Sequence, residues 1–224
     1  MGNKTVSVVG LGKLGLCWAL ILADHGYDVL GVDVNTSLIN SLSKCIDVSG
    51  EPGVPQLLQK HLNKGFKVSD SYGVIDGTCE TIFIVVPTPS DNNDRFSTRY
   101  VRSVLVSLNS IVEDRTTSLD VVVVSTLMPG DTRLSVNQAF SVKALDNIRN
   151  GYVNILYNPE FIALGSVLKD MLSPDFILIG SDSSSASERL SSIYKDINGP
   201  DIPVCSMSIE SAEVTKLSIN TFLI

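Results

Sequence analysis

Gly10-Leu11-Gly12-Lys13-Leu14-Gly15 spaces its glycines as a backbone turn that receives a pyrophosphate would need them. Gly10 permits a tight turn, Gly12 lets the ligand approach the main chain, and Gly15 lets the following helix pack closely on the preceding strand. The free N–H groups and positive dipole end of that helix then attract the phosphates. Such a motif alone is a weak signal, since glycine-rich turns also serve close packing. A second apolar run, Tyr27 to Val32, ends in Asp33, near the spacing of about 20 residues at which an acid meets an adenosine ribose. A carboxylate there accepts from both ribose hydroxyls and repels a 2′-phosphate, which favours NAD over NADP; the plainer alternative is that Asp33 caps the next helix.

These residues need a frame of strands and helices to hold them. Thr5 to Val9 is a short valine-rich run before the glycines, and Leu16 to Ala23 is a helix-length one after them. The helix runs from about Lys13 to His25 and stops at Gly26, a natural C′ residue. Asn35 can cap a second helix, and Asp70 can open a small one. Thr81 to Val86 is a buried strand broken by Pro87-Thr88-Pro89. Val101, Val104, Leu105, Leu108, Ile111 and Val112 then recur with helical period. Further strands are expected at Leu119 to Val124, Tyr152 to Tyr157, Phe176 to Gly180 and Val204-Cys205. Ser181 to Ser187 is read as a loop or cap region before a helix carrying Leu190, Ile193 and Tyr194.

Strands alternating with helices imply an α/β fold, a doubly wound, mainly parallel Rossmann-type sheet with helices on both faces. Ligands bind such sheets beyond the carboxyl ends of the strands. Asp33, Thr88, Thr126 and Glu160 all fall at such ends, so they are expected around one cleft.

Composition narrows the function classes. The chain has 224 residues, 44% of them hydrophobic, and a net charge of −7, which argues against a general nucleic-acid binder. Cys17, Cys45, Cys79 and Cys205 are scattered without metal-binding or disulfide spacing, so no metal is expected, each reads as a small packing residue, and a reducing cytoplasm fits. No apolar run approaches membrane-span length, and strand sequence begins too early for a signal peptide.

The strand ends resemble the UDP-glucose/GDP-mannose dehydrogenase family, whose members oxidise the C6 alcohol of a nucleotide sugar to a carboxylate with NAD⁺. The matching pieces are GLGKLG, the acid Asp33, EPG at 51–53, VPTP at 86–89, STLMPGDTR at 125–133, NPEF at 158–161, PDFILIG at 174–180 and AEVTKLSIN at 212–220, in the family's order. The resemblance implies that Gly10 to Gly15, Asp33, Val86, Pro87, Thr88, Pro89, Ser125 and Thr126 line NAD. Glu160 is implied as a catalytic acid/base, with Thr126, Lys216 and Asn220 beside the reacting carbon and Phe161, Ile162 and Leu164 on the substrate side. Many members carry a glutamate where this chain has Leu164, and often a basic residue where it has Leu38.

Physical chemistry supports the last pair: Lys216 and Asn220 stand four apart, so on a helix they share a face and can converge on one oxygen. The alternatives are a solvent-exposed Lys216 paired with Glu213, an exposed Glu160 after a proline turn, and a Thr126 hydroxyl that closes a strand-end turn.

The resemblance divides the chain into an NAD-binding domain over 1–205 and, over 206–224, the start of a long helix that links domains and forms a homodimer interface. It places the family's nucleophilic cysteine and the nucleotide pocket of its second domain beyond residue 224. Alternative readings are a 3-hydroxyacid or 6-phosphogluconate-type dehydrogenase, whose helix also offers a KxxxN pair, and an NAD-binding module without catalysis.

Overall fold

Alternate residues of a central strand face opposite layers, and here both sets are apolar, as a sheet covered on both faces requires. The computed structural model describes residues 4–90, 95–162 and 165–222. In chain order the elements are β1 (Thr5–Val9), α1 (Lys13–Asp24), β2 (Asp28–Val32), α2 (Thr36–Leu42), α3 (Val54–His61), β3 (Phe66–Ser69), β4 (Cys79–Ile84), α4 (Arg99–Glu113) and β5 (Leu119–Val123). They continue with α5 (Asp131–Ala139), α6 (Val142–Arg149), β6 (Val153–Tyr157), α7 (Val167–Leu172), β7 (Ile177–Ser181), α8 (Ser184–Asn198), β8 (Val204–Met207) and α9 (Ile209–Phe222). Their strands form one sheet in the order β3-β2-β1-β4-β5-β6-β7-β8. All neighbours are parallel except β6 and β7, which run antiparallel, with Tyr157 opposite Gly180.

Phe83 and Val122 point into a layer made by α1, α3, α7 and α8, whereas Ile82, Ile84, Val121 and Val123 point into one made by α4, α5, α6 and α9. The chain passes from one face to the other between β1 and β4. That is the switch point at which a doubly wound sheet opens a crevice at its carboxyl edge. Helix α9 lies close on β7 because Gly180 has no side chain: a Cβ there would sit 2.9 Å from both Ala212 Cβ and Ile209 Cα.

Several sequence expectations shift. Helices α5 and α6 occupy a stretch that no apolar period announced, since α5 buries mainly short or polar residues and the first residue of α6, Val142, is exposed. Helix α8 starts within the serine run, where Ser183 accepts from the Ala186 amide at 3.3 Å, so of the loop and cap readings those serines take the cap and add the first turn. Ser71, not Asp70, opens the short 3₁₀ turn at Tyr72–Val74. Cys17 and Cys79 are packing residues as read, but Cys45 and Cys205 are exposed. None of the described helices is long and apolar enough to cross a membrane.

One buried cation holds the amino-terminal edge of the sheet. Arg115, 6% exposed, follows α4 and donates to the carbonyls of Gly77 (3.0 Å), Cys79 (2.5 Å), Thr117 (3.1 Å) and Ser118 (3.1 Å). Only a guanidinium fork reaches so many acceptors in two loops at once. Replacing it orphans buried carbonyls, so Arg115→Ala is expected to lower stability by about 3 kcal/mol, with Arg115→Lys recovering less than half. Urea unfolding measures this, and a loss below ~1 kcal/mol would contradict the clamp.

Candidate active site

The glycine turn behaves as its spacing requires. Gly10 has φ +94°, and a Cβ there would lie 2.3 Å from the Val85 carbonyl oxygen; one on Gly15 would lie 1.8 Å from the Gly10 oxygen. A Cβ on Gly12 meets nothing within 4 Å, so this residue faces open space. Helix α1 begins after Gly12 with no side-chain cap and no acid in its first turn. Its N-terminus therefore fits an incoming phosphate, with no side chain of its own to displace. Leu11 is buried in the core, and Leu14 packs against it, so the side chains of both are turned to packing and only their main chain is left to face the turn. Lys13 is exposed at the mouth.

Asp33 closes the same turn from β2. Its Oδ2 accepts from the Leu11 amide at 2.7 Å and its Oδ1 from the Asn35 amide at 2.8 Å. The capping alternative falls to Asn35, whose Oδ1 accepts from Leu38 at 3.2 Å at the start of α2. Each Asp33 oxygen keeps lone pairs for ribose hydroxyls. Beside it lies an open groove of about 350 Å³ bordered by Gly12, Lys13, Asn35, Leu38 and Ser49.

Across the crevice, Ser125 links the ends of β4 and β5. Its hydroxyl donates to the Val86 carbonyl at 2.6 Å and accepts from the Val86 amide at 3.1 Å. Ser125 thereby closes the strand-end turn that was one alternative for Thr126 and fixes the Val86 loop. Thr126 and Thr88 stay half-buried at the cleft, while Pro87 and Pro89 are exposed on its rim.

Glu160, Lys216 and Asn220 converge. Lys216, only 5% exposed, donates from Nζ to the Glu160 carbonyl at 2.6 Å and to Asn220 Oδ1 at 3.0 Å, and lies 4.2 Å from the centre of the Phe161 ring. Burial lowers its pKa, against the opposing pull of Glu160. Burial likewise raises the pKa of the Glu160 carboxyl, against the Lys216 charge. Two titratable groups in one cleft, each pushed towards neutrality by burial although Lys216 touches the Glu160 main chain and not its carboxyl, are what proton-transfer chemistry would use.

Glu213 is not the partner of Lys216. It is fully buried and accepts from Gly130 N (2.6 Å), Thr132 N (3.0 Å) and Thr132 Oγ1 (2.6 Å), capping α5 from α9. That cap sets the height of α9 and hence of Lys216, one turn further along. Glu51, 2% exposed, performs a similar task, accepting from Gly165 N at 2.9 Å and Val167 N at 3.3 Å below the site. Ile162 is half-buried beside Phe161, and Leu164 lies outside the described residues.

Sequence reasoning also missed Asn158 and Tyr194. The Tyr194 hydroxyl lies 2.6 Å from Asn158 Oδ1 and 2.9 Å from Glu160 Oε1. An aromatic at helical spacing reads as core; only the asparagine within NPEF gave a signal.

The raised Glu160 pKa has a thermodynamic consequence. Because the folded state holds this proton more tightly than the unfolded chain, the stabilisation is complete below the ordinary value of 4.5 and is lost as pH rises through the folded midpoint. Wild-type stability relative to Glu160→Gln is therefore expected to fall with pH across that window. Denaturation midpoints over a pH series check the sign, and a difference that grows with pH would contradict it.

The comparisons agree with this geometry. Residues 4–198 match the model of the UDP-glucose/GDP-mannose dehydrogenase family, NAD binding domain. UDP-glucose 6-dehydrogenase AglM of Haloferax volcanii is 28% identical over 220 residues, covering 97% of this chain and 51% of the relative. The structure of a UDP-glucose dehydrogenase from Pyrobaculum islandicum superposes with TM-score 0.87 at 29% identity, covering 99% of this chain and 50% of that one. GDP-mannose dehydrogenase from Pseudomonas aeruginosa, solved as a ternary complex, gives TM-score 0.87 at 25% identity, covering 98% of this chain and 49% of that one. The chain thus spans about half the length of these relatives. With the glycine turn, the acid after β2 and the carboxyl-edge cleft all in place, the chain belongs to the UDP-glucose/GDP-mannose dehydrogenase family through its NAD-binding domain.

Proposed function

We propose that this protein takes part in the NAD-dependent oxidation of the C6 alcohol of a nucleotide sugar, UDP-glucose-like in class, to the uronic acid. The observation that carries the reading is the buried Lys216, held on the Glu160 main-chain carbonyl at the carboxyl edge of the sheet, together with a phosphate-ready glycine turn. Relatives named for UDP-glucose and GDP-mannose support the substrate class.

Bound NAD⁺ supplies the hydride acceptor, and the side chains here do the rest. The turn before α1 and Asp33 would hold the pyrophosphate and ribose. Lys216 and Asn220 face the reacting oxygen, where a buried cation favours the alkoxide over the alcohol. The Lys216 ammonium has three N–H groups, engaged by the Glu160 carbonyl, Asn220 Oδ1 and the Phe161 face, so the substrate oxygen takes the place of one of these partners. Glu160 exchanges a proton with water next to that oxygen, and Thr126 bounds the reacting centre from β5.

The second, aldehyde-to-acid step needs a nucleophile. Burial pushes the Cys17 and Cys79 thiols up to about 12, which keeps them protonated and inert. Cys45 and Cys205 are exposed, and neither is among the partners of Lys216 or Glu160. The 224-residue chain by itself is thus expected to bind NAD⁺ without forming two NADH per sugar.

Two measurements test the reading. Calorimetry should show NAD⁺ bound in preference to NADP⁺, with Asp33→Ala weakening NAD⁺ by about 1–3 kcal/mol through a lost charged hydrogen bond; equal or tighter NADP⁺ binding would sink the ribose assignment. The whole gene product, incubated with NAD⁺ and a panel of UDP- and GDP-sugars, should form NADH with at least one of them. Lys216→Met should cut that rate by about 10²–10³. No NADH from any nucleotide sugar would overturn the proposal.

A further inference from the structure

Asn158 is 1% exposed, and one contact fixes which way its amide points: Nδ2 donates to the Leu178 carbonyl at 2.8 Å, and a carbonyl can only accept. Its Oδ1 must therefore face the Tyr194 oxygen, 2.6 Å away. Flipping the amide would set two bare oxygens against each other at Leu178. Oδ1 carries no proton, so the phenol has to supply the one in this short bond.

A phenol has a single proton. The same Tyr194 oxygen lies 2.9 Å from Glu160 Oε1, where a donating phenol would lower the pKa of the carboxyl; the one proton is committed to the shorter bond, whose Asn158 oxygen brings none, so the phenol meets the carboxyl as an acceptor instead. The oxygen has nowhere else to go: Tyr194 is 2% exposed and stacked on Trp18 with ring centroids 5.1 Å apart and planes 24° from parallel. An ionised Glu160 would then place lone pair against lone pair in a site that burial has already made hostile to charge.

We propose that Tyr194, oriented by Asn158, is a positioning residue that accepts a hydrogen bond from Glu160 and so keeps Glu160 a neutral acid at rest. The relay runs one way, from Glu160 to Tyr194 to Asn158 to the Leu178 carbonyl, and ends on a group that cannot take up a proton. Glu160 therefore cannot pass its proton along this relay; it gives the proton up on the cleft side, and it acts as a base only after doing so. The charged and titratable groups that face it are Lys216 from α9 and Tyr194 from α8, with Asp175 before β7 lining the same cavity of about 40 Å³. The catalytic use of this proton rests on the reaction proposed above; the protonation itself does not.

The test is a ¹³C titration of the glutamate carboxyl carbons in the labelled protein without cofactor, the Glu160 signal being the one lost in Glu160→Gln. The wild type is expected to titrate above the ordinary glutamate range. Tyr194→Phe keeps the stacked ring but removes the acceptor, and should lower the Glu160 midpoint by about one pH unit. Asn158→Ala frees the phenol proton for Glu160 and should lower it as well. A more apolar pocket alone would move the phenylalanine variant the other way, so a merely structural tyrosine cannot mimic the result. A rise in the midpoint in Tyr194→Phe, or a wild-type Glu160 already ionised at the ordinary value, would overturn the inference. Either outcome is independent of whether any nucleotide sugar is oxidised.

Discussion

The site depends on satisfying one buried ammonium. Lys216 sits within the protein at 5% exposure, and a cation there is tolerable only if fixed acceptors replace its water. The Glu160 carbonyl at 2.6 Å and Asn220 at 3.0 Å provide them, with the Phe161 ring on a further side. Because the first acceptor is backbone beyond β6 and the second is one turn along α9, the same contacts that satisfy the charge also lock α9 to the carboxyl edge of the sheet. The helix can be neither raised nor rotated without stranding the ammonium.

Carboxylates, two of them buried, complete the framework by capping main-chain groups that would otherwise be orphaned. Glu213 closes α5, Glu51 holds the segment at Gly165 and Val167, and Asp33 ties the glycine turn to β2. Each joins elements distant in sequence, and each lies within or just beneath the loops around the cleft. A charged hydrogen bond of this kind is stronger and more directional than apolar contact, so the loops are fixed in place where function needs positions rather than mere compactness.

Much of this frame could be read from residue order. The glycine turn and the apolar strands carry their own signals, because close approach demands glycine and a sheet covered on both faces demands unbroken hydrophobic runs. Asp33, Thr126 and Glu160 followed from their places at strand ends. Hidden features were those set by partners far along the chain. Glu213 next to Lys216 looks like a surface ion pair, yet its oxygens serve α5, more than 80 residues away. Tyr194 looks like core, and it is, but its hydroxyl is what meets Glu160. Helix α5 escaped notice because the Glu213 cap, far along the chain, stabilises it more than an apolar stripe does.

A ligand of this fold is expected in the crevice at the carboxyl edge of the strands. The molecule offers a rival location, a cavity of about 860 Å³ at the opposite edge lined by Lys4, Glu80, Asp120, Glu188 and Arg189. Amide chemical shifts followed during a titration with NAD⁺ distinguish the two most directly. Saturable shifts at Gly12, Lys13, Val86, Thr88 and Thr126, with Lys4, Glu80 and Glu188 unmoved, are the result this account predicts; shifts concentrated on Lys4, Glu80 and Glu188 would contradict it.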